Sequence, residues 1–176
     1  MTDTAVTVRR VEPDAARTLA PALAAVLRDC VEGGASVSFM SPLPAAKAEA
    51  FWRGVADDVG AGGRALLVAE DAVGVLGTVQ VIFAQPENQP HRADIAKMLV
   101  HRRSRRQGIG AALMRAAQEV AREEGKTLLV LDTATGSDAE RLYRRLGWLQ
   151  VGVVPGYALW PDGRPCATTY FYKELN

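Results

Sequence analysis

The stretch from Ile95 to Val120 constrains the fold most. It opens on an apolar run, Ile95-Ala96-Lys97-Met98-Leu99-Val100, that reads as a strand. Arg102-Arg103-Ser104-Arg105-Arg106-Gln107-Gly108 follows. Ile109, Leu113, Ala116, Ala117 and Val120 then recur at helical spacing. A strand, a short basic glycine turn and a helix therefore stand in direct succession. The first turn of a helix carries unpaired N–H groups and partial positive charge, so it attracts anions. Gly108 and Gly110 lack a Cβ, which should let phosphates approach the backbone at both positions. The four arginines add fixed charge suited to a polyphosphate. The stretch is expected to cradle a pyrophosphate.

Two common phosphate motifs do not fit. A dinucleotide fingerprint needs a third glycine, but Gly108-Ile109-Gly110 runs on into Met114 and Arg115 without one. Gly125-Lys126-Thr127 has the ending of a nucleoside-triphosphate loop, yet Val120 stands where its first glycine belongs. That triplet also leads into a strand, Leu128 to Leu131, and not into a helix. What fits is Arg105-x-x-Gly108-x-Gly110 between strand and helix. It resembles the acyl-coenzyme A motif of the GCN5-related N-acetyltransferases (GNAT family). A second block, Ser137-Asp138-Ala139-Glu140-Arg141-Leu142-Tyr143-Arg144-Arg145-Leu146-Gly147-Trp148, is similar to that family's helix with a tyrosine that ends at Gly and an aromatic. Order, direction and spacing of the two blocks match together. One departure is Ser137, where many relatives carry Asn; its hydroxyl can cap the helix or reach the pantetheine arm.

A narrower resemblance rests on Gly33-Gly34-Ala35-Ser36-Val37-Ser38-Phe39-Met40 and Pro155-Gly156-Tyr157-Ala158-Leu159-Trp160-Pro161-Asp162-Gly163-Arg164. Both look like the tabtoxin-resistance subgroup, which acetylates a β-lactam-containing amino acid toxin. They lie outside the coenzyme motif and so bear on the acceptor site.

The chain has 176 residues and 48% hydrophobic residues, enough for one globular domain spanning 1–176. A net charge of +1 gives no overall attraction to nucleic acid. Two distant cysteines, Cys30 and Cys166, argue against a disulfide framework or a thiolate metal site, and no metal is expected. Met1 to Val11 shows no basic-then-apolar signal pattern, and no apolar run is long enough for a bilayer. A cytoplasmic chain without membrane partners is the expectation.

Val6–Val11 alternates as a strand, and Pro13 and Asp14 open a helix that runs from Ala15 to Val31 until Gly33-Gly34 stops it. A second helix runs from about Ala45 to Val59, with Phe51, Trp52 and Val55 on its core face. Ala65–Ala69 and Val75–Phe83 form a hairpin. Strand Ala93–Val100, helix Ile109–Glu124, strand Leu128–Asp132, helix Ser137–Leu146 and strands Leu149–Val154 and Thr168–Tyr172 complete the chain. This predicts an α/β (α+β) fold. A mixed, mostly antiparallel sheet of about six to seven strands is flanked by about four helices. The resemblance implies that parallel strands Ala93–Val100 and Leu128–Asp132 splay to admit the coenzyme.

The resemblance further implies acetyl-coenzyme A as co-substrate. Met98, Leu99, Val100, Arg105, Arg106, Gln107, Gly108, Ile109, Gly110, Ala111, Ser137 and Tyr143 would contact it, and a backbone N–H near Leu99 or Val100 would meet the acetyl carbonyl. Tyr143 matches the family's acid. A phenol with a reference pKa of about 10 is protonated at pH 7 and suits a departing thiolate of about 8.5. Asp94 and Asp132 are the candidates for base and amine recognition, with the choice between them open. As the start of one parallel strand and the end of its neighbour, they are expected at opposite ends. Ser36, Phe39, Met40 and Tyr157, with Asp94 and Asp132, are the expected acceptor contacts. Tyr157 and Trp160 are also candidates for packing across a homodimer, since dimers are frequent in the family. His91 and His101 have no metal partner at useful spacing.

The leading expectation is an N-acetyltransferase acting on a small-molecule amine by direct attack, with a toxin or antibiotic preferred as acceptor. The alternatives are a protein or peptide N-acetyltransferase and a non-catalytic coenzyme-binding module. Tyr143 with two acidic positions argues against the last. An RNA-binding arginine patch has no recognised motif behind it.

Overall fold

The computed structural model describes residues 5–176. Residues 1–4 of the stretch without a signal pattern lie outside it. The elements are β1 (Thr7–Arg10), α1 (Pro13–Glu32), α2 (Ala45–Gly60), β2 (Arg64–Glu70), β3 (Val75–Phe83), β4 (Arg92–Val100), a 3-10 turn (Arg102–Ser104), α3 (Ile109–Glu123), β5 (Leu128–Ala134), α4 (Asp138–Arg145), β6 (Leu149–Leu159) and β7 (Pro165–Glu174). The expected architecture is present: one seven-stranded sheet in the order β1-β2-β3-β4-β5-β7-β6, with four α-helices. β4 and β5 are its parallel pair, and every other pairing is antiparallel.

Helices cover both faces of the sheet. In β2 the alternation divides the strand: Ala65, Leu67 and Ala69 join the core under α3, while Leu66 and Val68 join the core under α1 and α2. That two-sided burial explains why β2 and β3 read as nearly continuous apolar runs. Trp52 of α2 is fully buried, as its place on the core face predicts. The crossover from β4 through α3 to β5 is the connection that parallel strands require.

The last two strands are longer than the sequence suggests. β6 continues past Val154 to Leu159, and β7 starts at Pro165. Pro155-Gly156-Tyr157 falls in a register shift between Val154 and Ala158, after which Ala158 pairs with Cys166 and Leu159 with Pro165. An edge strand tolerates a proline because one row of its N–H groups has no ladder partner. Asp162-Gly163 forms the hairpin turn between β6 and β7: Trp160 N–H donates to Arg164 O at 2.8 Å.

Candidate active site

β4 and β5 pair only over Arg92↔Leu128, Ala93↔Leu129 and Asp94↔Val130. Beyond Asp94, β4 is held on its β3 side alone, so its β5-facing backbone groups have no strand partner. The expected splay is therefore observed, and it starts where Asp94 ends the pairing.

A bulge lies just past that point. Gln80 pairs with Ala96 and Thr78 with Leu99, so Val79 alone opposes Lys97 and Met98. Lys97 has a φ of 49°, rare for a residue with a side chain. Ala93 and Ile95 face the α3 core, and strict alternation would send Lys97 the same way. The extra residue turns it instead to the α2 side, where its Nζ lies 5.8 Å from the Phe51 ring centre. Leu99 is carried to the α1–α2 core as well, while Met98 and Val100 pack on the α3 core.

The coenzyme side is built from the turn after β4. Gly108 caps α3 with a φ of 77° and no side-chain cap, and no atom lies within 4 Å of where its Cβ would stand. The Gly108 cap position is thus open and no side chain caps the N-terminus of α3, which suits a phosphate cradle. Gly110 differs from expectation. A Cβ there would lie 3.1 Å from Leu142 Cδ2 and 3.6 Å from Met98 Sδ, so this glycine serves the packing of α3 on α4. The four arginines also divide. Arg102 is tied to α1, where Asp29 and Glu32 neutralise it, while Arg103, Arg105 and Arg106 form no ion pair among the described residues. Arg105 Nε donates to Val100 O at 3.3 Å, and Gln107 Nε2 reaches Arg103 O at 3.5 Å. His101 caps the 3-10 turn: its Nδ1 accepts from Arg103 N at 3.2 Å.

Ser137 acts as the N-cap of α4, accepting from Glu140 N at 3.1 Å. Glu140 in turn accepts from the Gly136 N–H and from Arg144 at 2.8 Å. Fixed in this way, α4 carries Tyr143 into the core at 5% exposure, with ring centres 6.1 Å from Trp148 and 6.2 Å from Phe171. Burial pushes the Tyr143 phenol well above its ordinary value of 10, and the charge of Asp132 adds to the shift.

The acceptor side holds both aspartates. They do not stand at opposite ends, as the sequence suggests. Asp94 pairs with Val130, so Asp132 is only two residues further along and on the same face. The strands start level, and β5 runs on past Asp132 to Ala134, which puts Asp132 inside the strand. Asp94 takes Arg92 Nη1 on both oxygens at 2.8 Å. Asp132 Oδ2 accepts from the Thr168 hydroxyl at 2.8 Å and has no ion pair among the described residues. Directly opposite Asp132 stands Tyr170, whose hydroxyl bonds that of Tyr157 at 2.9 Å. That bond, with burial and the Asp132 charge, pushes the Tyr170 phenol up to about 12.

The loop residues are also in view. Phe39 packs edge-on against Phe51 at 5.3 Å, and Met40 is exposed. The Ser36 hydroxyl is committed to Leu159 O at 2.9 Å. Sequence reasoning missed Lys97, Thr168 and Tyr170. A lysine within the apolar run Ile95–Val100 was the available signal for the first; Thr168 and Tyr170 carry none beyond strand alternation.

The acetyltransferase (GNAT) family model matches residues 35–148. The chain belongs to the GNAT family. It is an acetyl-CoA-dependent N-acetyltransferase, with acetyl-CoA as its co-substrate. Known structures of similar fold include yncA from Salmonella typhimurium with its cofactor acetyl-CoA, at 19% identity and a TM-score of 0.79, over 98% of this chain and 95% of that one. A GCN5-related N-acetyltransferase from Kribbella flavida matches at 24% identity and a TM-score of 0.78, over 97% and 98% of the two chains. A ribosomal-protein-alanine N-acetyltransferase from Brucella melitensis matches at 23% identity and a TM-score of 0.78, over 96% and 99%. The residues of this GNAT enzyme suit the coenzyme. The uncapped start of α3 and three arginines without an ion pair among the described residues fit a pyrophosphate, and the open edge of β4 fits a strand-like pantetheine arm.

Proposed function

We propose that this enzyme transfers acetyl from acetyl-CoA to the amine of a small molecule by direct attack in a ternary complex. The observation that carries the reading is the gap between β4 and β5. An unpaired backbone edge lies on one side of it and two carboxylates lie on one face beside it. Coenzyme A supplies the thioester. The backbone of Met98, Leu99 and Val100 binds the pantetheine arm, and an N–H near Leu99 or Val100 polarises the acetyl carbonyl.

Asp132 is the base. Asp94 spends both oxygens on Arg92, whereas Asp132 is held by a neutral hydroxyl and keeps lone pairs for the amine. It attracts the ammonium form and takes its proton before attack. Tyr143 would serve as the acid for the leaving sulfur. Its buried phenol keeps its proton across the physiological range, would donate it to the departing thiolate as the C–S bond breaks, and would be restored by the proton that the acetylated nitrogen sheds. Neither cysteine suits a covalent route: both are buried, and burial pushes the Cys30 thiol up.

A toxin-like amino acid is the favoured acceptor. The two stretches that resemble the tabtoxin-resistance subgroup meet in space. Ser36 Oγ donates to Leu159 O at 2.9 Å and Ser41 N–H to Pro161 O at 3.1 Å. The β6–β7 hairpin is thereby clasped to the α1–α2 loop, which narrows the acceptor side in favour of a small molecule over a folded protein. The test is thiol release from acetyl-CoA against tabtoxinine-β-lactam, aminoglycosides, polyamines, free amino acids and N-terminal or lysine peptides. Turnover confined to small amines supports the reading, and turnover confined to peptides refutes it.

A further inference from the structure

Lys97 is the residue on the acceptor face that the reaction, as derived above, does not use. Its Nζ donates to Ser38 Oγ at 3.0 Å and makes no ion pair among the described residues. Ser38 itself has a φ of 78°. Of the three non-glycine residues with positive φ among the described residues, two are thus bonded to each other at the acceptor site. Such backbone strain persists only where surrounding structure holds it, and it concentrates at ligand clamps.

The charges on this face leave a specific remainder. Arg92 pairs with Asp94 at 2.8 Å, and Arg64 pairs with Asp58. What is left without an ion pair among the described residues of this face is one ammonium, Lys97, and one carboxylate, Asp132. The two interact electrostatically without touching: the Asp132 charge opposes the burial that lowers the Lys97 ammonium from its ordinary 10.5. Both stand just beyond Asp94↔Val130, on opposite lips of the gap. The floor beside Lys97 is also rich in donors. Arg64 Nη1 donates to Gln80 Oε1 at 2.7 Å, while Arg64 Nε and Gln80 Nε2 are buried without an acceptor. Gln80 pairs with Ala96, next to Lys97. A positive, donor-rich side thus faces a negative side across a space too wide for a direct ion pair. A zwitterion of the opposite polarity completes that arrangement, and a simple amine leaves the Lys97 ammonium half-buried and uncompensated.

We propose that Lys97 is the specificity residue for the acceptor, binding the carboxylate of an α-amino acid whose amine is received by Asp132. The inference rests on the acceptor site assigned above and deepens it. Ser38 sets the Lys97 side chain, and the Phe51 ring centre stands 5.8 Å from its Nζ. Rejection of acceptors without a carboxylate follows from the same desolvation cost.

The test compares acceptors that differ only in that carboxylate: L-phenylalanine with phenethylamine, L-leucine with isopentylamine, and L-lysine with cadaverine. kcat/KM is measured for each pair with the parent enzyme and with Lys97→Met. The parent is expected to favour the amino acid by about tenfold or more, the scale of one charge-assisted hydrogen bond. In Lys97→Met that ratio is expected to collapse toward one through a raised KM for the amino acid. A parent that acetylates both members equally, or a variant that keeps the full ratio, overturns the inference and leaves the acetyltransferase reading intact. Transfer to none of the three amino acids, with transfer to a carboxylate-free amine of the wider panel, also overturns the inference, whereas turnover confined to peptides overturns the small-molecule reading and the inference with it.

Discussion

Asp29 grips Arg102 at two points. Its Oδ2 accepts from the Arg102 backbone N–H at 2.8 Å, and its Oδ1 accepts from Nε at 2.9 Å. The end of α1 thereby fixes the start of the turn that carries the coenzyme arginines. Burial resists ionisation of Asp29, but the bonds from Arg102 and the charges of His101 and Arg102 outweigh it and hold the carboxyl below its ordinary 3.8. Its folded value is depressed, so the stabilisation is complete above that ordinary value and is lost as pH falls through the lower folded one. Asp29→Asn is expected to cost about 1 kcal/mol of stability, a modest figure because Arg102 is partly solvated. It should also weaken coenzyme A binding several-fold. Denaturant midpoints taken between neutral pH and pH near 3 check this; the gap between parent and variant should narrow at the acid end.

Gly77 matters to the shape of β4. A Cβ there would lie 2.7 Å from Leu99 O and 3.1 Å from Leu113 Cδ1. Gly77→Ala must push β3 away from the strand that carries the bulge, or push α3 off the sheet. It is expected to destabilise the fold by about 1–3 kcal/mol. Gly108→Ala meets no atom and carries only the left-handed backbone cost of about 1–2 kcal/mol. Both variants should lower the melting temperature; Gly77→Ala should also lower kcat, whereas the functional effect of Gly108→Ala should fall mainly on coenzyme affinity. Parent-like stability and kcat in Gly77→Ala would contradict the packing argument.

Asp94 and Asp132 should separate in kinetics. Asp132→Asn removes the proposed base and is expected to lower kcat/KM by about a hundredfold or more and to remove the acid limb of the pH–rate profile. Asp94→Asn loosens Arg92 and should cost less than about tenfold, with the limb retained. The reverse order would transfer the role of base to Asp94.

The strand, turn and helix around Arg105 to Gly110 were legible because local chemistry specifies them. The α4 cap was legible too: a serine just before a helix can cap it, and Ser137 Oγ accepts from the Glu140 N–H. What escaped the sequence is set by tertiary geometry. The bulge that turns Lys97 to the acceptor face breaks the alternation from which its face would be read. Gly110 carries the same letter as Gly108 but answers to Leu142 on another helix. Arg102 joins its neighbours in a basic run, yet Asp29, far away in sequence, removes it from the coenzyme set. The nearness of Asp94 to Asp132 depends on strand register, which no local pattern encodes.

Acetyl transfer in the gap between β4 and β5, with Tyr143 as the acid, is tested most directly by the single-turnover rate of acceptor-dependent thiol release, measured beside the coenzyme A dissociation constant in the parent and in Tyr143→Phe. The rate is expected to fall by about a hundredfold, with coenzyme affinity little changed. A parent-like rate in Tyr143→Phe, under conditions where chemistry limits turnover, would contradict that role for Tyr143.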